Sequence, residues 1–245
     1  MTEEAYFKGL NDVTEFTRGE LLDSFHQGGY QLKEASFYKK IEDMVSSGEI
    51  IRLGRNRYCL PNEKHQVYRY DYSDLAKEVA SQVEKQFPYL SFSIFEFIQM
   101  NDFVKHLVAH NVVFLSVESE AIDFVFGSLK EKYPGKVLIN PTVDIYNQYW
   151  TDDMIVILKL VTEAPKGQFV SWHTRLEKIL VDIMSEPLLL ASRSEDEYPD
   201  VYMNAFDRYY IDVNCMLRYA NRRKSANKIK EFLKNKTDIA LKTKE

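Results

Sequence analysis

The chain has 245 residues, 45% of them hydrophobic and 28% charged, with 9 Gly and 7 Pro, a composition that excludes disordered, collagen-like and low-complexity classes. At this length two compact domains are more natural than one, each able to bury a stable core. The net charge of -5 argues against a uniformly basic nucleic-acid coat, yet it is unevenly spread: residues 1–61 carry 8 Lys+Arg against 10 Asp+Glu, residues 62–216 carry 14 against 24, and residues 217–245 carry 10 against 3.

An acidic middle with a basic end implies either two separate interaction surfaces or pairing of the tail with the body. Cys59 and Cys215 are the only cysteines and neither lies in a CxxC pair, so neither a disulfide framework nor a zinc module is expected. The opening Met-Thr-Glu-Glu is acidic where a signal peptide is basic. No apolar run approaches the roughly 18 residues of a membrane span. The expectation is a soluble, cytoplasmic protein with no membrane partner.

In chain order, Thr17-Arg18-Gly19-Glu20 has the form of a capping box, so a helix begins there. Leu21, Leu22 and Phe25 give it an apolar face, and Gly28-Gly29 ends it. A second helix is predicted from about Lys33. Phe37, Tyr38, Ile41, Met44 and Val45 recur on it at three- and four-residue spacing, opposite Ser36, Lys39, Lys40 and Asp43, and Gly48 stops it. Two β-prone runs, 49–53 and 57–61, flank Gly54-Arg55-Asn56 and predict a tight hairpin. Helix, glycine turn, helix and arginine-tipped hairpin is the order of a winged helix-turn-helix, assigned to residues 1–61, with 62–66 as linker.

From Val67 strands alternate with helices. The pattern predicts strands at 67–70, 89–97, 111–117, 136–139 and 153–161, and helices at 73–86, 102–110 and 119–132. Further helices are expected at 174–185, 201–210 and, as one long basic element, 213–233, with 192–200 an exposed loop. The expected fold class is α/β, or α+β overall: a winged helix followed by an α/β domain over 67–245 with a central mixed sheet and a helical C-terminus.

Arg52, Arg55 and Arg57 place three guanidinium groups within six residues around the hairpin turn, where phosphate contacts or minor-groove readout would want them. With Ser36, Lys39 and Lys40 on the preceding helix and Asn56 in the turn, they form the candidate site for double-stranded DNA. Glu34, Glu42 and Asp43 on that helix keep a protein-interaction reading open. His106 and His110, four apart on a predicted helix, share a face, but no carboxylate at a familiar spacing completes a metal site. Asp144, Asp152 and Asp153 could hold magnesium in a metal-dependent nuclease or nucleotidyltransferase-like enzyme. The strand that follows lacks the acid-x-Lys of a nuclease, and no Gly-Ser precedes the acids. Neither a Gly-x-Ser-x-Gly elbow nor a phosphate-cradling glycine loop occurs, so neither an enzyme nor a cofactor or metal is expected. In the final helix Arg218, Arg222, Arg223 and Lys228 oppose an apolar side and form a possible basic interaction surface, while 236–245 read as a frayed tail.

The helix followed by MVSSGEIIRLGRNRYCLP, then ILKLVTEAPKG, RLEKILVDIMSEP and a basic C-terminal helix, resembles the AbiEi-type antitoxins of bacterial type IV toxin-antitoxin, or abortive infection, systems. The likeness is one of pattern over most of the chain, and its specific part is the combination of motifs. Where that family often has Gly-Arg-Gly before an aromatic, this chain has Gly54-Arg55-Asn56-Arg57-Tyr58; asparagine also tolerates positive φ. The resemblance implies a repressor that binds repeats in its own promoter and counters a nucleotidyltransferase-type toxin, with no stable toxin complex required. It carries over onto Arg52, Arg55, Asn56 and Arg57 of the hairpin and Ser36, Lys39 and Lys40 of the helix, and onto no antitoxic surface.

Overall fold

The structure, a computed structural model, describes residues 7, 9, 10, 13, 15–54, 56–61, 66–192, 194–239 and 241. It divides into two units, Met1–Tyr68 with Arg208–Tyr210, and Arg69–Asp207 with Ile211–Glu245. The return of 208–210 to the first unit has no signal in the sequence. It is held by the Tyr210 N–H, which donates to the Gln66 carbonyl at 2.9 Å, and by an edge-on contact of the Tyr68 and Tyr209 rings.

In the first unit, helix α1 (Arg18–Gln27) starts on the predicted capping box: the Thr17 hydroxyl accepts from the Glu20 N–H while the Glu20 carboxylate accepts from the Thr17 N–H. Gly29 takes a φ of 86° after the helix. Helix α2 (Glu34–Ser47) ends on Gly48 at φ 77°, a left-handed cap that a side chain would strain. Strands β1 (Ile51–Gly54) and β2 (Arg57–Cys59) pair antiparallel, with an irregularity between Arg52 and Gly54. Phe16 and Tyr58 exchange backbone hydrogen bonds of 2.8 Å on the other side of β2. Phe16, Leu21, Phe25, Phe37, Ile41, Met44, Ile50 and Tyr58 close around one core, with Phe25 and Phe37 edge to face at 5.8 Å. The predicted linker residues 62–65 lie outside the described residues.

The second unit is built on a four-stranded mixed sheet in the order β3-β4-β6-β5: β3 (Phe92–Glu96), β4 (Val112–Val117), β5 (Val137–Ile139) and β6 (Met154–Lys159). β4 runs parallel to β6, β5 parallel to β6, and β3 antiparallel to β4. Every residue of β4 is buried, as a central strand covered on both faces requires. Val113, Leu115, Ile155 and Ile157 face α3 (Asp74–Gln86) and α4 (Ile122–Lys132) through Val79, Val83, Val125 and Leu129. On the opposite face Phe114 stacks with Phe95 at 6.0 Å and with Tyr146 of α5 (Val143–Tyr149) at 6.5 Å.

The remainder is helical: α6 (Leu176–Asp182), α7 (Pro187–Ala191), α8 (Tyr198–Arg208), α9 (Val213–Arg222) and α10 (Ala226–Lys236). Among the described residues no helix is long and apolar enough to cross a membrane.

Four expectations are corrected. Residues 67–70 form no strand. The predicted helix over 102–110 is absent: a 3-10 helix, Phe97–Asp102, is followed by a loop that Asn101 closes by donating to the Val108 carbonyl at 3.1 Å and accepting its N–H at 2.6 Å. Part of the predicted 192–200 loop is ordered as a 3-10 turn and the start of α8. The single helix over 213–233 is two, because Lys224 takes a φ of 54°. That break lets Met216 and Ala220 before it and Ile229 and Leu233 after it all be buried.

Candidate nucleic-acid interface

α2 buries Phe37, Ile41 and Met44 and leaves Ser36, Lys39, Glu42 and Asp43 exposed, with Lys40 partly so. Its N-cap, Lys33, makes no side-chain hydrogen bond to the helix end. On the hairpin Arg52 is exposed, opposite Tyr58 in the β1/β2 register. These residues share one small unit with a single core, so the helix face and the hairpin are set by the same packing.

The other predicted hairpin residues have more structural roles. Asn56 takes a φ of 57°, the left-handed turn position expected of it, but its side-chain carbonyl is occupied, accepting the Arg18 N–H at 3.0 Å. Arg57 was expected to be open to phosphate. Instead its guanidinium forks onto Glu15, Nε donating at 2.8 Å and Nη2 more closely, with the two side chains 41% and 43% exposed. The hydrogen bond to Glu15 and its charge hold the Arg57 pKa above its ordinary value. The cause is the Phe16–Tyr58 bridge, which brings Glu15 alongside Arg57. Arg55 lies outside the described residues.

Arg18, a member of the capping-box stretch in the sequence, also belongs to this region. Its guanidinium lies over the ring of Tyr38, 5.5 Å from the centroid. Tyr38, read from spacing as part of the apolar face, is 43% exposed. A cationic residue at the start of one helix beside an exposed aromatic on the next was the available signal. Cys59, the last residue of β2, is buried, and desolvation and the nearby Glu15 push its thiol up to about 11, so it remains protonated.

Of the predicted basic surface of the C-terminal helices, Arg218, Arg222 and Lys228 are exposed and Arg223 is partly buried, and three of the four are engaged by neighbours. Arg222 pairs with Glu163. Arg223 donates to Ser185 Oγ at 3.0 Å and to Glu186 at 2.9 Å, and lies 3.6 Å from Asp182. Burial works against the Arg223 charge, but Asp182 and Glu186 outweigh it and hold its pKa above the ordinary value. Lys228 Nζ donates to the Met184 carbonyl at 3.0 Å, while Arg218 is exposed. On α6, Lys178 and Asp182 form a buried pair at 2.6 Å, and Tyr219 donates to Asp182 at 2.9 Å. RLEKILVDIMSEP thus serves as the seam that clamps α6 to α9.

The histidines and acids do not assemble. His110 lies 3.4 Å from Asp152 and edge-on to Trp150, and with the helix absent it shares no helical face with His106. Desolvation raises the Asp152 pKa, but hydrogen bonds from His110 and the Asn111 N–H carry it below the ordinary carboxylate value. Asp153 occupies a left-handed turn at φ 57°, and Asp144 lies in the first turn of α5. Among the described residues no group of three or more His, Cys, Asp or Glu is placed to hold a metal ion.

The class these observations define is a two-unit α+β protein: a small helix-helix-hairpin unit, and an α/β unit with a mixed sheet. The chain belongs to the family of unknown function DUF6577, which matches residues 36–239, from within α2 to beyond α10. No curated protein matches it. Among solved structures, the crystal structure of RV2827C protein from Mycobacterium tuberculosis is similar at 10% identity over 97% of this chain and 82% of that one, with a TM-score of 0.25, a likeness too low to carry an argument.

Proposed function

We propose that the protein is a DNA-binding transcriptional autorepressor whose first unit is a winged helix, and an antitoxin that counters a nucleotidyltransferase-type toxin. The DNA half is supported above all by one observation: the exposed Ser36 and Lys39 and the partly exposed Lys40 of α2, and the exposed Arg52 of the hairpin, belong to one unit packed around a single core. In this reading α2 enters the major groove, Ser36 approaches base edges, and Lys39, Lys40 and Arg52 neutralise phosphates. Glu15 restrains Arg57, which must leave that carboxylate to reach a phosphate.

The antitoxin half rests on the resemblance to AbiEi-type antitoxins, and no residue is assigned to it. The test of the DNA half is a fluorescence-anisotropy titration against the protein's own upstream DNA at several salt concentrations. Affinity that falls steeply with salt is the expected result; affinity indifferent to salt would transfer the unit to protein recognition, which the exposed Glu42 and Asp43 on α2 suit. The antitoxin half fails if co-expression does not relieve the toxicity of a nucleotidyltransferase-like protein encoded beside it.

A further inference from the structure

The segment ILKLVTEAPKG plays no part in the DNA reading, yet it lines a cavity. After β6 the chain crosses the ends of β4 and β3 as a strap over residues 160–171. It is tied at its start by the Leu160 N–H, which donates to the Val117 carbonyl at 2.7 Å. Beyond its end the Ile94 N–H donates to the Trp172 carbonyl at 2.8 Å. Gly167 is required within it, because a Cβ there would collide with the Val170 carbonyl. Between the strap and the strand ends lies a cavity of about 440 Å³, within the range of small-molecule sites. It stands at the carboxyl ends of the parallel strands β4 and β6, where α/β sheets hold their ligands.

The lining decides what such a ligand would be. Leu90, Leu160 and Pro165 supply an apolar wall, and Glu118 and Lys166 bring one exposed charge of each sign. Glu163, also on the lining, is already neutralised by Arg222. Ser93 belongs to the lining but is only 5% exposed, and its hydroxyl oxygen, which has no hydrogen-bond partner among the described residues, is itself buried, so the two charges and the apolar wall decide the ligand. A net anion would meet Glu118 and a net cation would meet Lys166. A zwitterion with an apolar body satisfies both charges and the wall. We infer that this cavity binds a free α-amino acid with an apolar side chain, its ammonium toward Glu118, its carboxylate toward Lys166 and its side chain on Leu90, Leu160 and Pro165.

This inference is independent of the DNA reading. The experiment is isothermal titration calorimetry on the full chain with L-leucine, L-methionine and L-phenylalanine, alongside N-acetyl-L-leucine and L-leucinamide, which lack the ammonium and the carboxylate respectively. At least one free amino acid is expected to bind, with the corresponding capped forms, Glu118→Gln and Lys166→Ala each weakening it about tenfold or more. Both substituted side chains are exposed, and circular dichroism and thermal unfolding of the two variants should match the parent. Absence of binding by all three amino acids up to about 10 mM, equal binding of the capped forms, or unchanged affinity in both variants would overturn the proposal.

Discussion

Lys39 in the first unit and Lys178 and Arg223 in the second are the same chemistry in opposite surroundings. Lys39 lies on the outside of a small core and its head meets solvent. Lys178 and Arg223 lie between helices, committed to Asp182, Glu186 and Ser185. A segment's net charge therefore says little about the field it presents. The 217–245 tail, strongly basic in sequence, spends part of that charge on the acidic body, and the N-terminal segment leaves Lys39 in solvent while giving Arg57 to Glu15.

The contrast breaks most visibly at Asp182. Asp182→Ala leaves Lys178 buried without its carboxylate and should destabilise the second unit by about 3–5 kcal/mol, read by urea unfolding. A Lys178→Met, Asp182→Leu double variant should recover only part of that loss, since an apolar pair removes the unpaired ammonium but leaves the buried Tyr219 hydroxyl without its acceptor. On the other side, Lys39→Ala with Lys40→Ala should weaken binding to upstream DNA about tenfold and reduce the salt slope by about 2. The unfolding midpoint should barely move, because surface changes of this kind lie within about 0.5 kcal/mol.

Thr17→Ala removes the capping box beneath the hairpin and should cost the first unit about 1 kcal/mol, measured on that unit's own transition. The smallest effect is expected at His173. Burial, and then the nearby Lys77, lower its pKa, so folding favours the neutral ring. Its contribution is complete above about pH 6.5 and is lost as pH falls through the lowered folded value. The second unit's unfolding temperature should therefore decline as pH drops from about 7 to about 5, and His173→Phe should flatten that decline.

Much of the local structure was legible in the sequence. The capping box at Thr17, the left-handed stop at Gly48, the hairpin turn at Asn56 and the strands 111–117 and 153–161 all carry signals of short range, a capping oxygen, a missing Cβ or an unbroken apolar run, and each appears within a few residues of its expected place. The helices α5 and α7 were missed because they are 7 and 5 residues long, too short for periodicity to register. The helix expected over 102–110 failed because Asn101 offers the backbone at Val108 a competing pair of hydrogen bonds.

The candidate site divides the same way. Helix periodicity identified Ser36 and Lys39 as outward-facing by separating them from Phe37 and Ile41, and the hairpin pattern placed Arg52 on the strand beside the turn. Neither the capture of Arg57 by Glu15, 42 residues away in sequence, nor the position of Arg18 over Tyr38 could be read locally.

By itself the sequence determined the secondary-structure punctuation, the apolar faces and the location of the charged residues along the chain, because these follow from single residues and their near neighbours. The tertiary structure decided which charges are spent internally, that the last helix breaks at Lys224, that 208–210 return to the first unit, and that a strap roofs a cavity at the strand ends. Each of those depends on two segments meeting in space, and the free energy of such a meeting is set by desolvation and packing that no single segment contains.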